Sequence, residues 1–388
     1  MDMGDDADDY DHIESHAGLV DSSARCGVDR VASDATEEAN VINGINAVIV
    51  PTIRPGRLSA ATRVAQRVGG TLMVLCSTSE QAARALKEVC DLPIDSVFIF
   101  AVSHSYQHDL LHFMTSLHPE LEVEPSCHTD IARKRNLGLL IARLAGWRTV
   151  LYLDDDIHGM TKDDLALAIK LVTRFQAVGF EVSHYSDNSV VCHANRLAGG
   201  KQDIFPGGSA LLVDVNKSTG FFPYIYNEDW LFLFDSVRQR SVAVAGTAAQ
   251  LEYQPFARAS RAASEEFGDL IAEGLYRLIH EGADVEAATL GYWQDALKRR
   301  SRFIDDVARR LLDTRDCMPA IDSALMSLTA AKKRLASISP LACVSFVRAW
   351  RMDLDAWGQR LDALSALGGP SDAADFLRLG VPGGCVTK

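Results

Sequence analysis

Three consecutive aspartates, Asp154, Asp155 and Asp156, follow the apolar run Thr149-Val150-Leu151-Tyr152-Leu153. Side chains alternate along an extended segment, so Asp154 and Asp156 are expected to point one way and Asp155 the other. Two carboxylates about 5 Å apart repel by roughly 3 kcal/mol at an effective dielectric of 20, and such a pair calls for a cation or a proton. A divalent ion, Mg2+ or Mn2+, held by Asp154 and Asp156 would keep positions open for phosphate oxygens and would offset charge on a diphosphate leaving group. An exposed acidic turn ahead of a helix would have the same composition.

A second constellation lies upstream. The segment Thr129-Asp130-Ile131-Ala132-Arg133-Lys134-Arg135-Asn136-Leu137-Gly138 has a capping residue and then three cations in the first turns of a helix expected over 130–145, with a core stripe at Leu137, Leu140, Ile141 and Leu144. Cations at a helix amino terminus oppose its dipole, so their placement favours a bound anion such as a nucleotide diphosphate. A solvated basic turn is the plain alternative. Arg54 and Arg57, after Pro51, are further candidates to meet a phosphate. His104, His108 and His112 recur every four residues and would share one face of a helix, but no acidic partner with metalloprotease spacing accompanies them. Gly207-Gly208 is too short for a phosphate-binding glycine loop.

The elements that must position these residues alternate. β-Branched runs at 45–50, ended by Pro51, at 71–76 and at 97–102 are separated by helical stretches at 59–68 and 80–90. This alternation predicts a largely parallel sheet covered on both faces, which binds ligands beyond the carboxyl ends of its strands, where the aspartates fall. A helix over 130–145, a strand at 149–153, a helix over 162–178, strands near Glu181 and Val190, and strands at 209–213 and 242–245 continue it. After about Ala257 the strands disappear, and 260–370 reads as helical. The expected organisation is a disordered acidic tail over 1–40, an α/β catalytic domain over 41–258 and a helical carboxy-terminal region over 259–388.

Composition bounds the function. Of the net charge of −13, the first 40 residues contribute −10, so the remainder is nearly neutral and lacks the basic footprint of a general nucleic-acid binder. The eight cysteines show no C-x-x-C spacing and read as reduced thiols. No run of about 18 apolar residues suggests a membrane span, and a cytoplasmic protein is expected.

Four elements in register resemble the inverting family 2 glycosyltransferases and their relatives with the GT-A fold, a Rossmann-like mostly parallel sheet flanked by helices. Ala47-Val48-Ile49-Val50-Pro51-Thr52 is similar to the family's opening strand and turn against the nucleotide. Arg135-Asn136-Leu137-Gly138, then Ala145-Gly146, then Leu153-Asp154-Asp155-Asp156 is similar to its Arg-Asn-x-Gly helix, Ala-Gly turn and acidic motif. Phe205-Pro206-Gly207-Gly208-Ser209, Gly220-Phe221-Phe222 and Asn227-Glu228-Asp229-Trp230 resemble its acceptor-side glycines, Gly-Phe segment and Glu-Asp motif.

The resemblance implies a nucleoside diphosphate sugar donor bound by Pro51, Thr52, Arg54, Arg135, Asn136, Asp154 and Asp155. It implies a small-molecule acceptor beside Gly207, Gly208, Ser209 and Trp230, and Mg2+ or Mn2+ on Asp154 and Asp156. Asp229 is then the general base that deprotonates the acceptor hydroxyl, and Glu228 orients the acceptor or the base. Where the family has an Asp-rich turn after its second strand, this chain has Cys76-Ser77-Thr78-Ser79. Where many relatives place a metal-binding histidine, it has Ala249-Gln250-Leu251-Glu252-Tyr253-Gln254, with Glu252 or Gln254 as possible substitutes. A retaining transferase or sugar-nucleotide mutase, a nucleotidyltransferase and a non-catalytic sugar-binding scaffold are the rival readings. A homo-oligomer is compatible with all of them.

Overall fold

The first apolar run, which the sequence ends at Pro51, continues through it to form β1 (Ala47–Thr52), every residue of which is buried. Pro51 is tolerated because it lies past Ile49, the last residue paired with β4, and only the β2 ladder remains beside it. After their opening hydroxyl residues, β2 (Thr71–Cys76), β3 (Ser96–Ala101) and β4 (Thr149–Leu153) are largely apolar because helices and other strands leave little of either face to water. β5 (Ile157–His158), β6 (Ala177–Ser183), β7 (Ala210–Asp214), β8 (Val242–Gln250) and β9 (Val386–Thr387) complete a nine-stranded sheet of order β5-β8-β6-β7-β4-β1-β2-β3-β9. β1, β2, β3, β4, β6 and β8 point one way, and β5, β7 and β9 run against them. The protein is therefore α/β with a mostly parallel sheet.

The computed structural model describes residues 16–22, 42–90, 92–94, 96–121, 127–183, 188–201, 205–313, 319–379 and 386–387. Its helices are α1 (Ser59–Val68), α2 (Ser79–Val89), α3 (Cys127–Leu144), α4 (Lys162–Val172), α5 (Val190–Leu197), α6 (Glu228–Arg238), α7 (Ala259–His280), α8 (Leu290–Asp313), α9 (Pro319–Leu335), α10 (Pro340–Ala363) and α11 (Pro370–Phe376). Thr78 and Thr161 start α2 and α4 by capping boxes with Gln81 and Asp164. Among the described residues, no helix is long and apolar enough to cross a membrane.

The chain divides into two compact units whose segments interleave. One consists of Leu19–Asp187, Ile204–Tyr253 and Ala349–Lys388 and holds the sheet. Its core packs Val48, Val50, Leu72, Val74, Leu151 and Leu153 against apolar residues of α1, α2 and α4. The other consists of Met1–Gly18, Asn188–Asp203 and Gln254–Arg348, and its described elements are helices. Its α7 buries Glu265, Glu266 and Asp269. Arg300 of α8 answers two of them, donating to Glu266 at 2.8 and 3.0 Å and to Asp269 at 2.7 Å.

Three local expectations change. Val190 opens a helix, because Ser189 accepts a hydrogen bond from the Cys192 amide and caps it. The helix expected over 162–178 ends at Val172, and Ala177 already begins β6. Part of the expected acidic tail is structured, since Leu19 and Val20 are buried and Asp21 pairs with Ala243 at the sheet; most of the rest lies outside the described residues.

Candidate functional site

Ladder pairing of β4 with β7 stops at Leu153, so the three aspartates lie beyond the alternating strand, in the turn before β5. The alternation expected for them does not extend that far. Asp155 and Asp156 come together on one cation, Arg54, and Asp154 faces a different one, Arg135. Arg54 Nη2 donates to Asp155 Oδ1 at 2.5 Å and to Asp156 Oδ2 at 3.1 Å. Thr52, at the end of β1, fixes Asp155 from the other side by donating its Oγ1 proton to Oδ2. The same Oγ1 accepts from the Arg54 amide at 2.9 Å, which ties the arginine's backbone to the strand end.

The basic segment of α3 is not at the helix terminus, because α3 begins at Cys127. Its lysine and its second arginine meet protein carboxylates, in place of the bound anion expected at a helix end. Lys134 Nζ is buried and donates to Asp130 Oδ2 at 2.5 Å, Ser77 Oγ at 2.7 Å and the Thr52 carbonyl at 2.9 Å. Burial pulls this lysine below its ordinary pKa while Asp130 opposes the shift. Lys134 thus cross-links the ends of β1 and β2 to α3. Sequence reasoning counted Lys134 only as one of three cations; its i,i+4 spacing from Asp130 was the available signal.

Arg135 carries the centre of the site. Its Nη2 donates to both oxygens of Asp154 at 3.0 Å, and its Nη1 donates to Glu228 Oε1. The Phe222 ring lies 5.8 Å from the guanidinium carbon. Burial acts against the charge, but Asp154, Glu228 and Asp229 together hold Arg135 above its ordinary pKa. Burial pushes Glu228 up to about 8, helped by Asp229 and Asp154 and opposed by Arg135. Three carboxylates around one guanidinium leave an excess of negative charge that favours a proton or a further cation.

Asn136 takes a different place from the donor contact expected of it. It is fully buried, its Nδ2 donates to the Phe222 carbonyl at 2.7 Å, and its Oδ1 accepts from the Phe222 amide at 2.8 Å. Both amide atoms are committed, so Asn136 positions the Phe221-Phe222 segment beneath Arg135. Pro51 is likewise buried within β1.

The residues expected on an acceptor side converge on the start of α6. Asn227 adopts left-handed backbone angles (φ 59°, ψ 33°), turning the chain sharply into Glu228 and Asp229. Asp229 is half-buried, and its Oδ2 accepts from the Gly208 amide at 2.6 Å while Oδ1 accepts from the Trp230 amide at 2.9 Å. A Cβ on Gly207 would lie 2.8 Å from Asp229 Oδ2, and one on Gly208 would lie 2.5 Å from Arg135 Nη1. The glycine pair therefore allows backbone to lie directly on two charged side chains. Ser209 joins this loop to β4, its carbonyl accepting from the Asp154 amide at 2.8 Å. Trp230 stands edge-on to Phe205 at 5.2 Å.

Whether the residues present suit a divalent ion is answered by Arg54, a cation already seated between two nearly buried carboxylates. Gln250, at the end of β8, directs its amide to the same place: Nε2 is 3.5 Å from Asp156 Oδ2, and the buried Oε1 has no hydrogen-bond partner. With the amide turned over so that Oε1 takes the place of Nε2, two carboxylates and an amide oxygen would form an acceptable oxygen donor set. It differs from the expected pair of Asp154 and Asp156, and Gln250 stands where Glu252 or Gln254 was anticipated; both of those are exposed. Among the described residues, no three His, Cys, Asp or Glu side chains gather as a metal site. The histidines at 104, 108 and 112 share no helix: His104 lies 3.7 Å from Asp130, and His108 caps a short 3-10 turn.

No protein-family model and no curated protein matches the chain. Among solved structures it is similar to a mannosyltransferase from Pyrobaculum calidifontis in complex with GDP-Man and Mn2+. The identity is 14%, the match covers 85% of this chain and 91% of that one, and the TM-score is 0.39. The likeness is too loose to carry an activity across. A cavity of about 930 Å³ lies at the opposite ends of β1, β2 and β4, against Asn46, Thr71, Arg148 and Thr149. Among the described residues its walls contain no Asp, Glu, His or Cys, and the described chemistry-bearing residues gather instead at the carboxyl ends of the strands, the candidate site.

Proposed function

We propose that the chain transfers a glycosyl group from a nucleoside diphosphate sugar to a hydroxyl of a small soluble acceptor, with inversion. The observation that supports it best is the convergence of Thr52, Arg54 and Asp154 to Asp156 at the strand ends with Asp229 and the Gly207-Gly208 loop, joined through Arg135.

In this reading Thr52, Arg54 and the aspartates line the donor's diphosphate. Asp155, Asp156 and Gln250 would hold Mg2+ or Mn2+, which when bound offsets the charge on the departing diphosphate. Asp229 accepts the proton of the acceptor hydroxyl, and that oxygen forms a bond to the anomeric carbon from the face opposite the leaving group. The bond from that carbon to the diphosphate oxygen breaks, and the electron pair leaves with the diphosphate. The two backbone amides on Asp229 hold its carboxylate in place and leave lone pairs free for the hydroxyl. Glu228, neutralised by its environment or paired with Arg135, keeps the guanidinium aimed at Asp154.

A thermal-shift panel of UDP, GDP, CDP, ADP and dTDP, each with and without Mn2+, tests the reading on the wild type and on Asp156→Ala. A ligand at about 100 times its Kd adds about 2.7 kcal/mol. One diphosphate is expected to stabilise the wild type with Mn2+, and Asp156→Ala to lose that effect. If no nucleotide shifts the wild type, the donor site does not exist as described.

A further inference from the structure

We propose that Arg54 is a resident counter-cation of the Asp155, Asp156 and Gln250 cluster, which a divalent ion must displace to bind. The proposal rests on the donor-site reading for its purpose, but its physical test does not.

The two sides of the ion pair differ in their freedom. The carboxylates are anchored: Asp155 by Thr52 and Asp156 by its backbone carbonyl, which accepts from the Leu251 amide at 2.9 Å. Their side chains are only 3% and 9% exposed, whereas that of Arg54 is 46% exposed. The arginine sits after β1, and its guanidinium reaches the acids on a flexible stem from the solvent side. Of the three partners, the cation is the one able to leave.

The Gln250 oxygen is an independent sign that the arginine does not use all that the site offers. It is buried, it belongs to an amide turned toward Asp156, and it remains without a donor. Leaving a buried acceptor unmet costs free energy, and a half-turn of the amide, which now presents Nε2 to Asp156, would bring Oε1 to a divalent ion seated between the acids.

Two consequences follow from the charges. With Arg54 closed, two carboxylates share one positive charge; with a divalent ion in its place they are neutralised, and the guanidinium is released toward solvent. A diphosphate arriving at the same strand ends gives that released cation a new partner. Metal and diphosphate therefore favour each other through Arg54, and this coupling is reciprocal. Metal alone binds weakly because it competes with the arginine. If the open arrangement is about one tenth of the population, the apparent Kd for metal is about tenfold weaker than the intrinsic one.

Mn2+ binding in the absence of any nucleotide, followed by the electron paramagnetic resonance of the free ion, tests this on purified full-length protein. Arg54→Ala is expected to bind Mn2+ about tenfold tighter than the wild type, and Arg54→Lys to stay close to the wild type. Asp156→Ala in the Arg54→Ala background is expected to lose the binding. Circular dichroism reports whether Arg54→Ala is folded; if it is not, Arg54→Gln, whose amide can still donate to Asp155, carries the same comparison. Equal or weaker Mn2+ affinity in the uncharged variant overturns the proposal. So does absence of Mn2+ binding in all variants, and if a nucleotide still stabilises the wild type, the donor site survives that loss. Conversely, tighter Mn2+ binding to Arg54→Ala with no nucleotide response upholds the displacement and removes the donor reading.

Discussion

Arg135 is the point where the two sides of the site are joined, and its replacement by methionine gives a prediction that can be worked through. Methionine keeps much of the stem's packing on Phe222 but removes the charge from between Glu228 and Asp154. Both members of the Arg135 and Glu228 pair are under 10% exposed, so the loss resembles removal of one partner from a buried ion pair, about 3 to 5 kcal/mol. The cost must depend on pH. In the wild type Glu228 titrates at about 8 in the folded protein, against an ordinary value of 4.5. A raised carboxylate pKa means that the folded state holds the proton longer, so its contribution to stability is complete below about pH 4.5 and is lost as the pH rises through 8. Without Arg135 the folded value rises further, and the decline continues into the alkaline range. Between pH 8 and 9 the wild type is already completing its own loss, so the penalty of Arg135→Met should grow by about 1 kcal/mol. Urea unfolding followed by circular dichroism at pH 6, 8 and 9 reads this, with Arg135→Met/Glu228→Gln as the second variant. The double variant should remove the pH-dependent part and recover about 2 kcal/mol at pH 9. A single-variant cost below about 1 kcal/mol, or one that does not change with pH, would refute the assignment of Glu228 as a buried acid held by Arg135.

Three other outcomes are expected. Asn136→Ala leaves the amide and carbonyl of Phe222 without partners, and by denaturant unfolding it should cost about 2 to 5 kcal/mol. Gly208→Ala drives a methyl group into the guanidinium of Arg135; transferase activity assayed with the nucleotide sugar from the panel should fall more than tenfold, while Gly291→Ala, in α8 with ordinary helical backbone and open surroundings, leaves it unchanged. In the helical unit, burial pushes Glu265 up to about 7 against the pull of Arg261. The same sign argument makes stability fall as pH rises from about 4.5 to 7, and Glu265→Gln should flatten that part of the profile in thermal unfolding.

The sheet was largely legible because buried parallel strands are written as short apolar runs, and β1 to β4 are four of them. Elements specified by distant pairing were not. β5 is two residues long and exists through its pairing with β8, and Val190, β-branched by type, is helical because Ser189 caps it. The acidic triplet announced itself by charge density, but its division between Arg54 and Arg135 could not be read from a strand period that ends with the ladder at Leu153. Likewise Arg135, Asn136 and Glu228 stood out as a motif, whereas their partners lie up to 93 residues away in the chain. Gln250 carried no signal: an amide at a strand end acquires meaning only from the carboxylate that the turn after β4 sets beside it.

The reversed direction of β7 has a consequence for how the site can change over time. Because this strand runs against β4, the segment entering it, and not the one leaving it, reaches the carboxylate end of the sheet. Thr52, Arg54, Ser77 and Asp154 to Asp156 all belong to the chain before residue 157, whereas Gly207, Gly208, Asp229 and Trp230 fall within 205–230. Gln250 apart, the two sides of the site are thus separate cassettes of sequence, sharing Arg135 as their joint. Under the proposed function, a lineage could rewrite the second cassette to admit a new acceptor while the first keeps the donor. A chimera exchanging only 205–230, with Arg135 and Glu228 retained, is the laboratory form of the same event.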